Sequence, residues 1–253
     1  MKKAIEEKLR EIAERENIKI LYAAESGSRA WGFASPDSDY DVRFLYMRPR
    51  DAYLRLEKFR DVIEEPVVGE LDVSGWDIPK ALRLLHSSNP TLFEWANSPI
   101  VYQAAPEWEW VREEMDGYFS CRAGLGHYLN MAQNNIRHHL HTPSVKWKKY
   151  FYALRPLLAC RWILENSTPP PVPFEKLVKA QLPAELLPVV ETLVAAKKRA
   201  GEKAEGPRIP ELDRYLEEEL RHVREKADGL PPAPKKDWEG LDALYLSLLD
   251  VRP

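Results

Sequence analysis

Residues 24–47, AESGSRAWGFASPDSDYDVRFLYM, set the tightest constraint on how this chain can fold. A Gly-Ser pair follows directly on KILYAAES (19–26), an apolar run that reads as a short buried strand. Ten residues later comes Asp-Tyr-Asp, opening a second strand, DYDVRFLYM (39–47), which Pro49 ends. Side chains alternate along a strand, so Tyr40, Val42, Phe44 and Tyr46 share one face, and Asp39, Asp41 and Arg43 share the other. The α-carbons of Asp39 and Asp41 are then about 7 Å apart, close enough for both carboxylates to ligate a divalent ion pair spaced ~3.5–4 Å. Hard, oxygen-only ligands favour magnesium or manganese. Glycine lets backbone amides approach a phosphate, the serine hydroxyl adds a donor, and a helix starting there would aim its positive end at an anion. Together these residues describe a clamp for a nucleoside triphosphate.

Three other readings compete. Asp37, Asp39 and Asp41 match the first ligand positions of a calcium-binding EF-hand loop, but Val42 falls where its glycine is required and Arg48 where its closing glutamate belongs. A Walker-type phosphate loop fails because no Lys-Ser or Lys-Thr follows the Gly-Ser. An ordinary acidic turn suits Asp37 and Ser38, whose side chains bond their own backbone. It does not account for Asp41 in the middle of an apolar and aromatic strand.

Around this segment the first hundred residues mix helix and strand. Ile5, Leu9, Ile12 and Ala13 form one stripe of an amphipathic helix over 3–16, stopped near Asn17. A third strand is expected over VVGELDVSG (67–75), followed by a helix with Asp77 as N-cap and Pro79 in its first turn, and Asn89-Pro90 breaks that helix and starts another. From about 107 the pattern is helical: 120–141, 145–165 with a bend at Pro156, then 174–180, 184–203, 208–228 and 237–249 after the stiff connector STPPPVPF (167–174). The fold class is therefore α+β: a small mixed sheet with helices over 1–105, followed by an all-helical domain over 106–253. A chain that is 44% hydrophobic and 30% charged excludes wholesale disorder. No apolar run approaches the ~20 residues of a membrane span, and a cytoplasmic protein is expected. Cys121 and Cys160 read as core residues, without the spacing of a zinc site.

Charge is segregated. The 48 residues between Asp116 and Glu165 hold no Asp or Glu, yet contain Arg122, Arg137, Lys146, Lys148, Lys149, Arg155 and Arg161; they carry +7, leaving -10 on the remainder. His127, His138, His139 and His141 lie there too, interleaved with aromatic residues. The pattern suggests a polyanionic partner, or, more plainly, a solvated helix pair in a chain whose acids lie elsewhere.

The Gly-Ser, ten-residue spacer and Asp-x-Asp resemble the core motif of the DNA polymerase β-like nucleotidyltransferase superfamily. GSRAWGFASPDSDYDVRFLYMRP, ELDVSGWDIPKALRLLHSSNPTLFEWANSPIVY (70–102) and KKYFYALRPLLACRWI (148–163) look like its RNA-repair-associated branch, linked to RNA ligase systems. The resemblance covers roughly 18–180. It implies a metal-dependent nucleotidyltransferase that uses two magnesium or manganese ions and an NTP, with Asp39 and Asp41 as metal ligands. It also implies a third carboxylate acting as general base, for which Asp72 fits the apolar-Asp-apolar pattern and Glu70 is the alternative. Gly27 and Ser28 would contact the β- and γ-phosphates. Arg29, Ser38, Lys80, Lys149, Tyr152 and Arg155 complete the nucleotide-binding candidates, and Arg137, Lys146 and Lys148 are candidates for RNA or phosphate contacts. Arg155 reads equally as a structural residue, and Trp31 as core or as a base-stacking group. The acceptor would be an RNA hydroxyl in a repair pathway. The alternatives are a protein hydroxyl, as in antitoxin-type AMP-transferases, and a catalytically silent nucleotide sensor or RNA-binding module.

Overall fold

A computed structural model describes residues 1–57, 59–140, 142–201, 204–231 and 236–251. In chain order the elements are α1 (Lys2–Glu16), β1 (Lys19–Glu25), α2 (Gly27–Trp31), β2 (Tyr40–Met47), α3 (Arg50–Tyr53), β3 (Val62–Glu64), β4 (Leu71–Asp77), α4 (Ile78–His86), α5 (Pro90–Ala96), β5 (Val101–Ala104) and α6 (Trp108–Tyr118). Then follow α7 (Cys121–His139), β6 (Ser144–Lys146), α8 (Trp147–Asn166), α9 (Phe174–Gln181), a 3-10 turn (Ala184–Leu186), α10 (Leu187–Ala200), β7 (Glu205–Pro207), α11 (Pro210–Asp228) and α12 (Glu239–Asp250). The fold is α+β, as expected. Among the described residues no helix is long and apolar enough to cross a membrane.

Two compact units emerge. One comprises Met1–Ala30, Asp39–Phe119 and Lys235–Pro253; the other comprises Trp31–Ser38 and Ser120–Pro234. The sequence pattern divides the chain near 105, whereas here α6 and α12 group with the sheet.

The first unit is built on a five-stranded mixed sheet in the order β3-β4-β2-β1-β5. β1 pairs antiparallel with β2 and β5, β2 runs parallel to β4, and β3 is antiparallel to β4. Ile5, Leu9 and Ile12 of α1 are fully buried in one cluster with Val42, Phe44 and Tyr46, and burying such a side chain is worth about 1.5–3 kcal/mol. Leu45 and Met47 point the other way, into a cluster with α4, α5, α6 and α12. Asp41 and Arg43 share that second face nearer the start of β2 and are only partly buried there. The alternation read from the sequence holds through the whole strand.

Three local expectations change. The third strand begins at Leu71, not 67, because Gly69 takes a left-handed φ of 62° and Val68 turns back to pair with Leu71. Asp77 stands at the N-cap position of α4, but instead of capping the helix its carboxylate accepts a hydrogen bond from the Tyr53 hydroxyl at 2.5 Å. Asn89 does cap α5, accepting the Thr91 amide at 3.0 Å. Cys160 is buried, while Cys121 is partly exposed.

In the second unit α8 runs unbroken through Pro156 and buries most of its middle turns. Phe33 stacks on Phe151 at 4.7 Å between ring centroids and meets Phe174 edge-on at 5.5 Å, so the 31–38 loop is anchored by aromatic packing. β6 and β7 form a separate two-stranded ribbon.

Candidate active site

The site is assembled where β1 ends and β2 begins. Gly27 has a φ of 60°, and a Cβ placed on it would lie 2.1 Å from Oδ2 of Asp41. The Asp41 carboxylate therefore rests against a bare α-carbon that no other residue type supplies. The Ser26 amide donates to the Asp41 carbonyl at 2.8 Å, and the Asp41 amide donates to Oε1 of Glu25 at 2.8 Å. Glu25 is 1% exposed and also accepts the Tyr102 hydroxyl. Burial pushes the Glu25 carboxyl above the usual range, opposed by the bonds from Tyr102 and the Asp41 amide.

The parallel register of β2 and β4 sets Asp41 directly opposite Asp72. Two like charges on one rung repel. Arg43, two residues along the same face, offsets this: its Nη2 donates to Oδ1 of Asp41 at 3.0 Å and to Oδ2 of Asp72 at 2.8 Å. Its Nη1 donates to the carbonyls of Val42 and Asp72, both at 3.1 Å. Asp39 is exposed one residue before β2, and its carbonyl accepts Nε of Arg29 at 3.0 Å, while the Arg29 guanidinium lies 3.5 Å from the Tyr40 ring centroid. Glu70 is exposed one residue before β4, and its carbonyl accepts the Tyr40 amide at 2.6 Å. Of the two candidates for a third carboxylate, Asp72 is the one paired with Asp41. Ser28 is 8% exposed in the first turn of α2, next to Gly27.

Asp39, Asp41 and Asp72 are a donor set suited to a hard divalent cation, and the Gly27 cradle holds one carboxylate in a defined place. Among the described residues no three His, Cys, Asp or Glu side chains converge into a ligand cage. Arg43 stands between two of the three acids.

The other predicted residues have partners of their own. Lys80 sits at the far end of β4 from Asp72 and pairs with Asp61 at 3.3 Å. Ser38 is fully buried, its Oγ accepting the Ser35 amide at 3.0 Å and Nζ of Lys197 at 3.2 Å, so it is a structural pin and not a group presented to a ligand. Arg155 is 1% exposed, lies 4.6 Å from the Trp31 ring centroid and donates to the Val172 carbonyl at 3.3 Å. Burial favours the structural reading of Arg155, and Trp31 packs with it, with Phe33 and with Tyr152.

Lys149 remains accessible in the second unit. Its Nζ lies 3.1 Å from Nε2 of His139 and 5.5 Å from the Tyr152 ring centroid. Partial burial and then the neighbouring Lys148 and Lys146 lower its pKa, and burial with Lys149 lowers that of His139. Arg137 and Lys146 are exposed and Lys148 is partly so. His141 lies outside the described residues.

Glu25, Tyr102 and Lys197 receive no role from the sequence pattern, and Arg43 is placed on the acidic face without one. Glu25 carried a legible signal: a lone acid ending an otherwise apolar strand, as anomalous there as Asp41 is in β2. Lys197 carried none, since it sits in a run of basic residues at the end of α10, yet it is 1% exposed and bonds both Ser35 and Ser38 at 3.2 Å. A cleft of about 570 Å³, lined by Asn17, Lys19, Arg48 and Arg50 among others, lies at the opposite ends of β1 and β2 from these acids.

The family match marks the chain as a nucleotidyltransferase-like protein. The chain belongs to the RNA repair pathway DNA polymerase beta family (RlaP), whose family model matches residues 1–247. It is 42% identical over 252 residues to the uncharacterized protein YcgL of Bacillus subtilis (strain 168), covering 99% of this chain and 97% of that protein. A solved nucleotidyltransferase-like protein from Exiguobacterium sibiricum 255-15 aligns over 88% of this chain and 74% of its own, with 13% identity and a TM-score of 0.32.

Proposed function

We propose that this protein transfers a nucleoside monophosphate from an NTP to an acceptor hydroxyl, with release of pyrophosphate, and that the acceptor is RNA in a repair pathway. The observation that carries the reading is the single rung holding Asp41 opposite Asp72, with Gly27 packed on the Asp41 carboxylate. Ser28 and the first amides of α2 receive the outer phosphates, beside Arg29. Asp72 takes the proton of the attacking hydroxyl. The new bond joins the acceptor oxygen to the α-phosphorus, and the bond from that phosphorus to the oxygen of pyrophosphate breaks. Two magnesium or manganese ions, held by Asp39, Asp41 and Asp72, would supply charge neutralisation at the α-phosphate and the leaving group. Glu25 acts by positioning, fixing the Asp41 backbone at the strand start. The exposed Arg137 and Lys146 and the partly exposed Lys148 and Lys149 support a polyanionic acceptor, and the family description supports a role in RNA repair.

The test is incubation with each of the four α-labelled NTPs and magnesium or manganese, with and without an RNA bearing a free 3′ hydroxyl, resolved on one gel. Label on RNA that vanishes in Asp41→Ala supports the proposal. Label on protein would move the activity to the AMP-transferase class, and absence of label with NTP binding retained would make the site a sensor.

A further inference from the structure

Arg43 is the feature of the site that the proposed reaction leaves unused. Both terminal nitrogens of its guanidinium are engaged: Nη2 joins the Asp41 and Asp72 carboxylates, and Nη1 joins two backbone carbonyls. The Arg43 side chain is 17% exposed, against 27% for Asp41 and 35% for Asp72. This is a charge-assisted bridge built from inside the sheet, and it lies where a cation shared by the two acids would have to sit. With Arg43 in place the rung carries one net negative charge; with Arg43 withdrawn it carries two, the charge a divalent cation matches.

We propose that Arg43 is an internal counter-ion that competes with the metal for Asp41 and Asp72, so that bare metal binds poorly and enters together with the nucleotide. The proposal rests on the reading of these acids as metal ligands. A bare divalent ion has to displace Nη2 and leave that nitrogen without its two carboxylate acceptors in a partly buried place, only the Nη1 bonds to backbone being kept. A metal–triphosphate complex brings acceptors with it, because the phosphate oxygens can take the guanidinium donors that the carboxylates release. Nucleotide should therefore strengthen metal binding, and metal should strengthen nucleotide binding by the same factor. In chemical terms the site would discriminate for the metal–NTP complex over either component. It would also keep the two acids in register when no substrate is present, which a pair of facing carboxylates cannot do alone.

The test is manganese binding followed by electron paramagnetic resonance, with and without a non-hydrolysable NTP, on the full chain and on Arg43→Gln, Arg43→Lys and Asp41→Ala. Gln is neutral and cannot offset the two acids. Arg43→Gln is expected to bind bare manganese at least about tenfold more tightly than the parent, and to lose most of the strengthening that nucleotide gives. Its thermal midpoint should be lower without metal and recover on adding manganese, whereas the parent midpoint should barely respond to manganese alone. Arg43→Lys, which keeps the charge but cannot span both carboxylates and two carbonyls, should fall between them, and it decides the matter if the glutamine variant does not fold. Equal or weaker bare-manganese binding in Arg43→Gln would overturn the proposal and make Arg43 a fixed strut. If Asp41→Ala binds manganese with nucleotide as tightly as the parent, the metal-ligand reading itself fails, and the inference with it.

Discussion

Replacing Gly27 by alanine separates what the fold requires from what the site requires. Two costs follow from the geometry. The first is conformational: an L-residue at φ 60° costs roughly 1–2 kcal/mol, part of which is returned because alanine restricts the unfolded chain more than glycine does. The second is steric: the new methyl would stand 2.1 Å from Oδ2 of Asp41. An ordinary contact needs roughly 1 Å more, so one group must retreat, and the freest is the end of the Asp41 side chain. That retreat is cheap for stability but moves a carboxylate by about the distance that costs on the order of 10²-fold in rate when a reacting group is misplaced. Gly32 is the matched control, since it has a φ of 89° and nothing within 4 Å of its would-be Cβ. Gly27→Ala and Gly32→Ala should each lose about 1 kcal/mol in urea unfolding, but only Gly27→Ala should lose about 100-fold or more in labelled-NTP transfer. Equal activity in the two variants would refute the claim that Gly27 is kept for the Asp41 carboxylate.

Three further outcomes follow from the structure. Burial holds the Asp77 carboxyl up at about 6 against an ordinary 3.8, with the Tyr53 bond pulling the other way; a folded pKa above the unfolded one contributes stability that is present at low pH and lost between those two values. Stability should therefore fall by about 3 kcal/mol as pH rises through that window, and Asp77→Asn should flatten the decline in pH-dependent urea unfolding. Lys197→Met removes the ammonium from the buried Ser35 and Ser38 hydroxyls and should cost about 1–3 kcal/mol in chemical denaturation, where a solvent-facing lysine would cost nothing measurable. Replacing Lys148 and Lys149 together by alanine should weaken RNA binding and shallow its salt dependence by up to ~2 in the log–log slope; an unchanged slope in a filter-binding titration would return that cluster to an ordinary solvated face.

Strand alternation was enough to place Asp41 and Arg43 on one face of β2, because the opposite face needed Val42, Phe44 and Tyr46 for the core; Asp39 falls one residue before the strand. Helical periodicity likewise located α1 and the long helices of the second unit. Elements with no periodicity to read were not legible: β5 is a four-residue edge strand with mostly exposed side chains, and β3, β6 and β7 have three residues each. Register was the larger gap. That Asp72 stands opposite Asp41 depends on the β2–β4 pairing, and one residue of slip would have turned Asp72 to the other face. The same pairing gave Arg43 its two carboxylates, which spacing within one strand could not show. Ser38 reads from the sequence as a ligand group and Arg155 equally as a ligand or a structural residue; both are engaged in packing and buried hydrogen bonds, which depend on segments outside their own element.

The central claim is that the rung formed by Asp41 and Asp72 is the reaction centre and that Asp72 takes the proton. The most direct measurement is the single-turnover rate of label transfer from an α-labelled NTP in the parent, Asp72→Asn and Glu70→Gln, side by side at saturating substrate. Loss of about 10²–10⁴-fold in Asp72→Asn, with Glu70→Gln staying within a few-fold of the parent, is the predicted result. Near-normal transfer by Asp72→Asn, or a collapse confined to Glu70→Gln, would contradict it.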